Sequence, residues 1–308
     1  MKRVFQRVDL PLKLLDEPDL PFPLKVQFSV LSEAGREIGD PFFGASLGRF
    51  ARMEKLSAFG AWVSGAATLG GAIDRSNRGL NRYFQTATAL QLRVFGNTTR
   101  WSIEFLDPGR DGRFQNELLG VSYLIDGVRY FAGPRWMPAL VRSTCRTLKQ
   151  AAALEEHFGA SVLHGCAVTA VEFDTALLTA RRWRRPDPHV ELEPLIPLLR
   201  GSRAEVTALL AIALLEGHPK IDWVASKLET NRRALQRSLD QEGFNFSGLL
   251  EELLKERAIT LLRSTDLNVT DVALQLGYSD SAHFSRAFRR WTGTPPCRYR
   301  SEIRLPNQ

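Results

Sequence analysis

Between Asp222 and Pro296 one pattern is written twice, and few folds accommodate it. In the first copy Asp222 caps a short helix carrying Val224, Ala225 and Leu228, and Asn231 caps a second helix that runs to Gly243. In the second copy Asn268 caps a helix carrying Val272, Ala273 and Leu276, and Gly277 stops it. Another helix then runs from about Ser281 to Thr292, ended by Gly293, Pro295 and Pro296. Short helix, tight turn, longer helix is the helix-turn-helix pattern. Between the copies Asn245 opens a longer connector helix with Leu249, Leu250, Leu253, Leu254, Ala258, Leu261 and Leu262 at apolar spacing. Ahead of both, Glu205 to Leu215 is amphipathic and stops at Gly217 and Pro219. The last hundred residues therefore read as an all-α domain with two such units joined by a connector.

Upstream the periodicity is mixed. Pro23 to Ile38 and Met53 to Tyr83 read as helical, while Leu90, Leu92 and Val94, then Trp101, Ile103 and Phe105, alternate as strands around a Gly96-Asn97 turn. Helices from Phe114 to Val128 and Arg146 to Phe158, and an alternating run from Val162 to Phe173, complete an α+β domain of unspecified strand order. A basic cluster, Arg181, Arg182, Arg184 and Arg185, then gives way to Pro186, Pro188, Pro194 and Pro197, which forbid one continuous helix. The division expected is a domain at 1–185, a linker at 186–203 and a helical domain at 204–308, with 308 residues ample for two cores.

Composition narrows the function classes. A formal net charge of +7 favours anionic partners. Charged residues and Pro11 interrupt Met1 to Leu15, so no export signal is legible, and nowhere do eighteen apolar residues run together. The expectation is a cytoplasmic protein without a membrane span. Three scattered cysteines, Cys145, Cys166 and Cys297, suit free thiols. The enzyme alternative for the N-terminal half finds no phosphate loop, dinucleotide fingerprint, His-Glu-x-x-His or Gly-x-Ser-x-Gly motif. His164 and Cys166, near His157 and Cys145 in sequence, read as packing in a strand, so no catalytic residue, metal or cofactor is assigned.

The stretch from Val206 to Arg300 resembles the DNA-binding domain of the AraC/XylS family of bacterial regulators. Val272-Ala273, Leu276-Gly277-Tyr278-Ser279-Asp280, His283 through Pro295 and Tyr299-Arg300 carry the resemblance in the second unit. Val224-Ala225, Leu228, Arg232 through Arg237, Leu239, Gly243 and Phe246 carry it in the first, with Asn231 where the family usually has serine. The N-terminal half is similar to the arabinose-binding-like sensor domain of the ornithine-use branch, through Ala67-Thr68-Leu69-Gly70, Glu117, Arg129, Trp136-Met137-Pro138 and Phe158-Gly159. The resemblance implies a sequence-specific transcription regulator that binds double-stranded promoter DNA. It further implies a small-molecule effector of unidentified chemistry, a homodimer formed through the N-terminal domain, and RNA polymerase as a further partner. A pure oligomerisation module stays open for the N-terminal half. Its aromatics, including Trp62, Tyr83, Phe105, Tyr123, Trp136 and Phe173, could line a pocket or be plain core.

Apolar periodicity alone fits a helical packing domain equally well, so the residue types left on the outer faces decide. A helix in the major groove needs long hydrogen-bonding side chains near its N-terminal end. Asn231, Arg232, Arg233, Gln236 and Arg237 supply them in the first unit, with base reading assigned chiefly to Arg233, Gln236 and Arg237. Ser281, Ala282, His283 and Arg286 supply a shorter set in the second, where Arg286 is the best single reader and Asp280 the helix cap. Arg289, Arg290, Arg298 and Arg300 are assigned to phosphate or solvent.

Overall fold

The computed structural model describes residues 1–17, 20–107, 112–183, 195, 197–198, 201–217 and 219–304. In chain order its first half contains α1 (Lys2–Arg7), α2 (Leu24–Ile38), α3 (Phe43–Gly48), α4 (Ala58–Ser64), α5 (Leu69–Tyr83), β1 (Thr88–Phe95), β2 (Thr98–Phe105), α6 (Arg113–Ala132), β3 (Leu140–Arg142), α7 (Leu148–Phe158), β4 (Val162–Leu163) and β5 (Thr169–Asp174). The second half is helical: α8 (Gly201–Ala213), α9 (Ile221–Lys227), α10 (Arg232–Gln241), α11 (Phe246–Ser264), α12 (Val269–Gln275), α13 (Ser281–Thr292) and α14 (Pro296–Arg304). Two compact units result, residues 24–198 in one, and residues 4–23 with 199–308 in the other.

The first unit grows from the expected hairpin. Gly96 takes φ +58°, as a two-residue hairpin turn requires, and β1 pairs antiparallel with β2 from Thr88↔Phe105 to Phe95↔Thr98. β2 continues onto β5, giving the order β1-β2-β5-β3-β4 with β3 and β4 parallel. Trp101, Ile103 and Phe105 alternate inward along β2 and are buried. Against them lies α6, apolar on most of its circumference: Leu118, Val121, Leu124, Ile125, Val128 and Phe131 are all buried. A helix so apolar must be covered on several sides, and the sheet, α2, α3 and α5 cover it.

One reading of this half is sharpened and one corrected. The stretch from Met53 to Tyr83, read as helical, divides into a 3₁₀ turn at Met53–Lys55, α4 and α5. Ser57 Oγ accepts from the Phe59 amide at 3.2 Å and Thr68 Oγ1 from the Gly71 amide at 3.2 Å, and each hydroxyl opens a new helix. The run from Val162 to Phe173 is two strands, not one, because Gly165 at φ +68° turns the chain between β4 and β5. His164 and Cys166 therefore sit in that turn instead of in a strand. Among the described residues no metal-holding cluster of His, Cys, Asp or Glu occurs.

In the second unit α8 packs on α9, α10 and α11, with Val206, Leu209 and Leu210 fully buried. The start of the chain belongs here as well. Leu12 N–H donates to Glu216 Oε1 at 2.7 Å, Trp223 Nε1–H to the Asp9 carbonyl at 3.2 Å, and Lys227 Nζ to the Val8 carbonyl at 2.6 Å. Of the expected linker 186–203, most lies outside the described residues, as do Arg184 and Arg185. Among the described residues no helix is long and apolar enough to cross a membrane.

Candidate nucleic-acid interface

The doubled pattern in the sequence becomes a doubled hydrogen-bond pattern. In the first turn Leu228 N–H donates to Val224 C=O at 3.2 Å, Glu229 N–H to Ser226 C=O at 3.1 Å and Thr230 N–H to Ala225 C=O at 3.0 Å. In the second, Leu276 N–H donates to Val272 C=O at 3.1 Å, Gly277 N–H to Leu274 C=O at 3.0 Å and Tyr278 N–H to Ala273 C=O at 3.0 Å. The reversal needs a left-handed residue in each turn, and Gly277 supplies it at φ +80°. Glu229 fills the same place at φ +53°, a conformation that costs a residue with a Cβ.

Caps fix where the longer helices begin. Asn231 Oδ1 accepts from Ala234 N–H at 2.9 Å and starts α10, and Asp280 Oδ1 accepts from His283 N–H at 2.7 Å and starts α13. The expected caps at Asn245 and Asn268 also form, on the amides of Gly248 and Asp271 at 2.8 Å each. Asp222 does not cap α9; it lies in the first turn, where its charge suits the helix N-terminus, and Lys220 holds the capping position without a side-chain bond. Pro296, read as an ending, opens α14, since the first helical position needs no N–H.

Backbone donors also tune two carboxylates. The His283 N–H holds the Asp280 carboxyl below the usual carboxylate range. The amides of Ser202 and Arg203, at 2.8 and 3.2 Å, do the same for Glu242. Glu242 follows the last residue of α10, so this contact anchors the start of α8 to the end of that helix.

With both ends fixed, the faces sort themselves. On α10, Leu235 and Leu239 are buried, while Arg232, Arg233, Gln236 and Arg237 are exposed and have no side-chain partner among the described residues. On α13, Phe284, Ala287 and Phe288 are buried. Ala282, His283, Arg286, Arg289 and Arg290 are exposed, and Ser281 is half-buried. A ladder of rings, Tyr278 to Phe284 at 5.6 Å, Phe284 to Phe288 at 5.7 Å and Phe288 to Tyr299 at 5.3 Å, clamps α13 to α14. Arg263 on the connector α11 donates to the Tyr299 hydroxyl at 3.2 Å. Two stiffly mounted helices thus present their donors from one connector of 19 residues, about 28 Å of helix.

Some expected contacts are spoken for. Asn231 spends its carbonyl oxygen on the cap, which leaves its amide N–H groups free. Arg290 pairs with Glu251 on α11 at 2.5 Å and Arg298 with Glu302 at 2.8 Å, whereas Arg289 and Arg286 have no partner among the described residues. Arg300 is half-buried, its Nε and Nη2 shielded from water and unbonded. Trp291 is half-buried with its Nε1 shielded from water and unbonded.

An α+β domain followed by two helix-turn-helix units on one connector defines a two-domain, DNA-binding transcription regulator. Residues 1–181 match the family described as the arabinose-binding domain of AraC transcription regulator, N-terminal, and residues 224–302 match a helix-turn-helix domain. The chain belongs to the AraC family of transcription regulators. It is 26% identical over 307 residues to the HTH-type transcriptional regulator VirS of Mycobacterium tuberculosis, covering 96% of this chain and 89% of that protein. To the ornithine utilization regulator of Pseudomonas aeruginosa it is 39% identical over 82 residues, covering 27% of this chain and 24% of that protein. Among solved structures, the transcriptional regulator CdpR from Pseudomonas aeruginosa matches with 25% identity and a TM-score of 0.40, over 84% of this chain and 86% of that one.

Proposed function

We propose that α10 and α13 each enter a major groove of promoter DNA, α10 reading bases through Arg233, Gln236 and Arg237, and α13 chiefly through Arg286. The observation that carries this reading is the set of exposed donors on the outer face of α10, without side-chain partners among the described residues, opposite buried Leu235 and Leu239. Arginine can bond guanine twice and glutamine adenine twice, so this face discriminates sequence. Arg232, Arg289 and, once released from Glu251, Arg290 then meet phosphate, while Asn231, Ser281, Ala282 and His283 border the groove. One chain covers two successive grooves, roughly 34 Å apart, on one face of the duplex.

Of the expected division 1–185, 186–203 and 204–308, residues 24–185 act in this reading as the ligand-sensing and dimerising domain, residues 186–203 as the linker and residues 204–308, with residues 4–23 packed on them, as the DNA-binding domain. The resemblance of residues 1–181 to a domain named for arabinose binding supports a small-molecule effector. Such an effector works by favouring one arrangement of the regulator over another, and bound at a promoter the regulator acts on RNA polymerase. The test is binding of the full chain to DNA upstream of its own gene, at moderate salt with excess unrelated competitor. Retention on that DNA supports the reading, and equal loss to competitor at every concentration overturns it.

A further inference from the structure

Where α2, α4, α5, α6 and the β1–β2 hairpin converge, the N-terminal unit forms a partly open cavity of about 120 Å³. Its walls are mostly carbon, from side chains that include Phe59, Phe84, Trp101 and Leu119, and among the described residues lining it none carries a formal charge. Three polar side chains line it without a hydrogen-bond partner among the described residues. Asn116 on α6 is 3% exposed, yet its carboxamide has no hydrogen-bond partner among the described residues. Half-buried Gln27 and Tyr123 line the same space, also without a side-chain hydrogen-bond partner among the described residues. Burial raises the Tyr123 phenol above its ordinary range, with Asp126 adding to it, so the hydroxyl stays a neutral donor. The other nearby amide and indole are satisfied: Gln85 Nε2–H donates to Thr88 Oγ1 at 2.6 Å and Trp101 Nε1–H to Asn77 Oδ1 at 3.1 Å.

The Asn116 carboxamide, without a partner among the described residues, is open to whatever fills the space beside it, water or a ligand. The volume sets the size of that occupant, since an apolar cavity of ~150 Å³ accepts one benzene ring. The walls set its charge. A zwitterionic or cationic amino acid would bury charge with no counter-charge among the lining residues, and a pentose would leave most of its hydroxyls against carbon. We propose that this cavity binds an uncharged molecule of single-ring size, with an apolar body packed between α6 and the aromatic side chains and one hydroxyl or carbonyl bonded to Asn116. That this molecule is the effector rests on the regulatory reading above; that it binds rests on the cavity alone.

The test uses the full chain, with calorimetry and thermal shift against benzyl alcohol, phenol and cyclohexanone as probes, and arabinose, ornithine and benzoate as contrasts. At least one neutral probe should bind with Kd at or below about 1 mM and raise Tm, while the three contrasts do neither. Leu119→Trp fills the space and should weaken that probe at least about tenfold. Asn116→Leu keeps the shape and should weaken benzyl alcohol about five- to tenfold while leaving toluene unchanged. If Leu119→Trp does not fold, the benzyl alcohol and toluene pair on Asn116→Leu still decides. No binding by any neutral probe, or preferred binding of arabinose or ornithine, overturns the proposal. So does a folded Leu119→Trp that binds as the parent does. Operator affinity is measured in parallel: probe binding that leaves it unchanged supports the cavity assignment and refutes its role as the effector site.

Discussion

Substituting Gln236 by alanine separates base reading from mere charge, because glutamine carries none. Gln236 is exposed on α10 with no partner among the described residues, so its removal should change folding stability by no more than about 0.5 kcal/mol. If its carboxamide bonds an adenine edge, specific affinity should fall by ~1–3 kcal/mol, about 5- to 150-fold in Kd. The assay is fluorescence anisotropy of the full chain on its operator and on a scrambled duplex of equal length, across a salt series. Gln236→Ala should weaken the operator alone and leave the salt slope unchanged. Arg289→Ala should weaken both duplexes alike and reduce the salt slope by about 0.9. Arg290→Ala should do less than Arg289→Ala, because Arg290 is already held by Glu251. Equal weakening of both duplexes by Gln236→Ala, or none on either, would refute the orientation assigned to α10.

Three further outcomes follow from the same geometry. Asn231→Ala removes the cap of α10 and should cost ~1 kcal/mol in thermal melts, whereas Asn231→Ser should cost little. Glu229→Gly relieves a left-handed backbone at the position Gly277 fills in the second unit; the ~1–2 kcal/mol recovered exceeds the ~0.5–1 kcal/mol of added chain freedom, so denaturant melts should show unchanged or slightly higher stability. Asp280 and Glu242 have folded pKa values below their ordinary ones, so what they contribute is complete above the ordinary carboxylate range and is lost as pH falls through the folded values. Tm should accordingly drop on acidification below about pH 4, and Asp280→Asn, which keeps a capping oxygen, should flatten part of that drop.

Local features were legible in the sequence because they are written within a few residues of where they act. Asn231, Asn245, Asn268 and Asp280 cap the helices expected of them, and Gly96, Gly243, Gly277 and Gly293 all take positive φ where a turn or helix end was read. The inward and outward faces of α10 and α13 follow directly from helical spacing. Features set by distant partners were not legible. β3 is three residues long, too short for alternation to declare it, and the sheet order depends on pairings dozens of residues apart. The Arg290–Glu251 pair, 39 residues apart, gives an arginine assigned to phosphate or solvent a partner that no local pattern announces. Nothing in the periodicity of residues 4–23 announces that they bond Glu216, Trp223 and Lys227. Of six aromatics named as pocket candidates, Phe105 and Tyr123 line the cavity, while Trp62 packs on Tyr83 and Trp136 on Phe173.

The central claim is that one chain places two helices in two successive major grooves, and methylation interference on guanine N7 with the full chain tests it most directly. Two clusters of interfering guanines about one turn, 10 to 10.5 base pairs, apart on one face of the duplex are the predicted result, with Arg233→Ala and Arg237→Ala weakening one cluster and Arg286→Ala the other. A single cluster that all three substitutions weaken alike, or specific binding without any major-groove interference, would contradict the account.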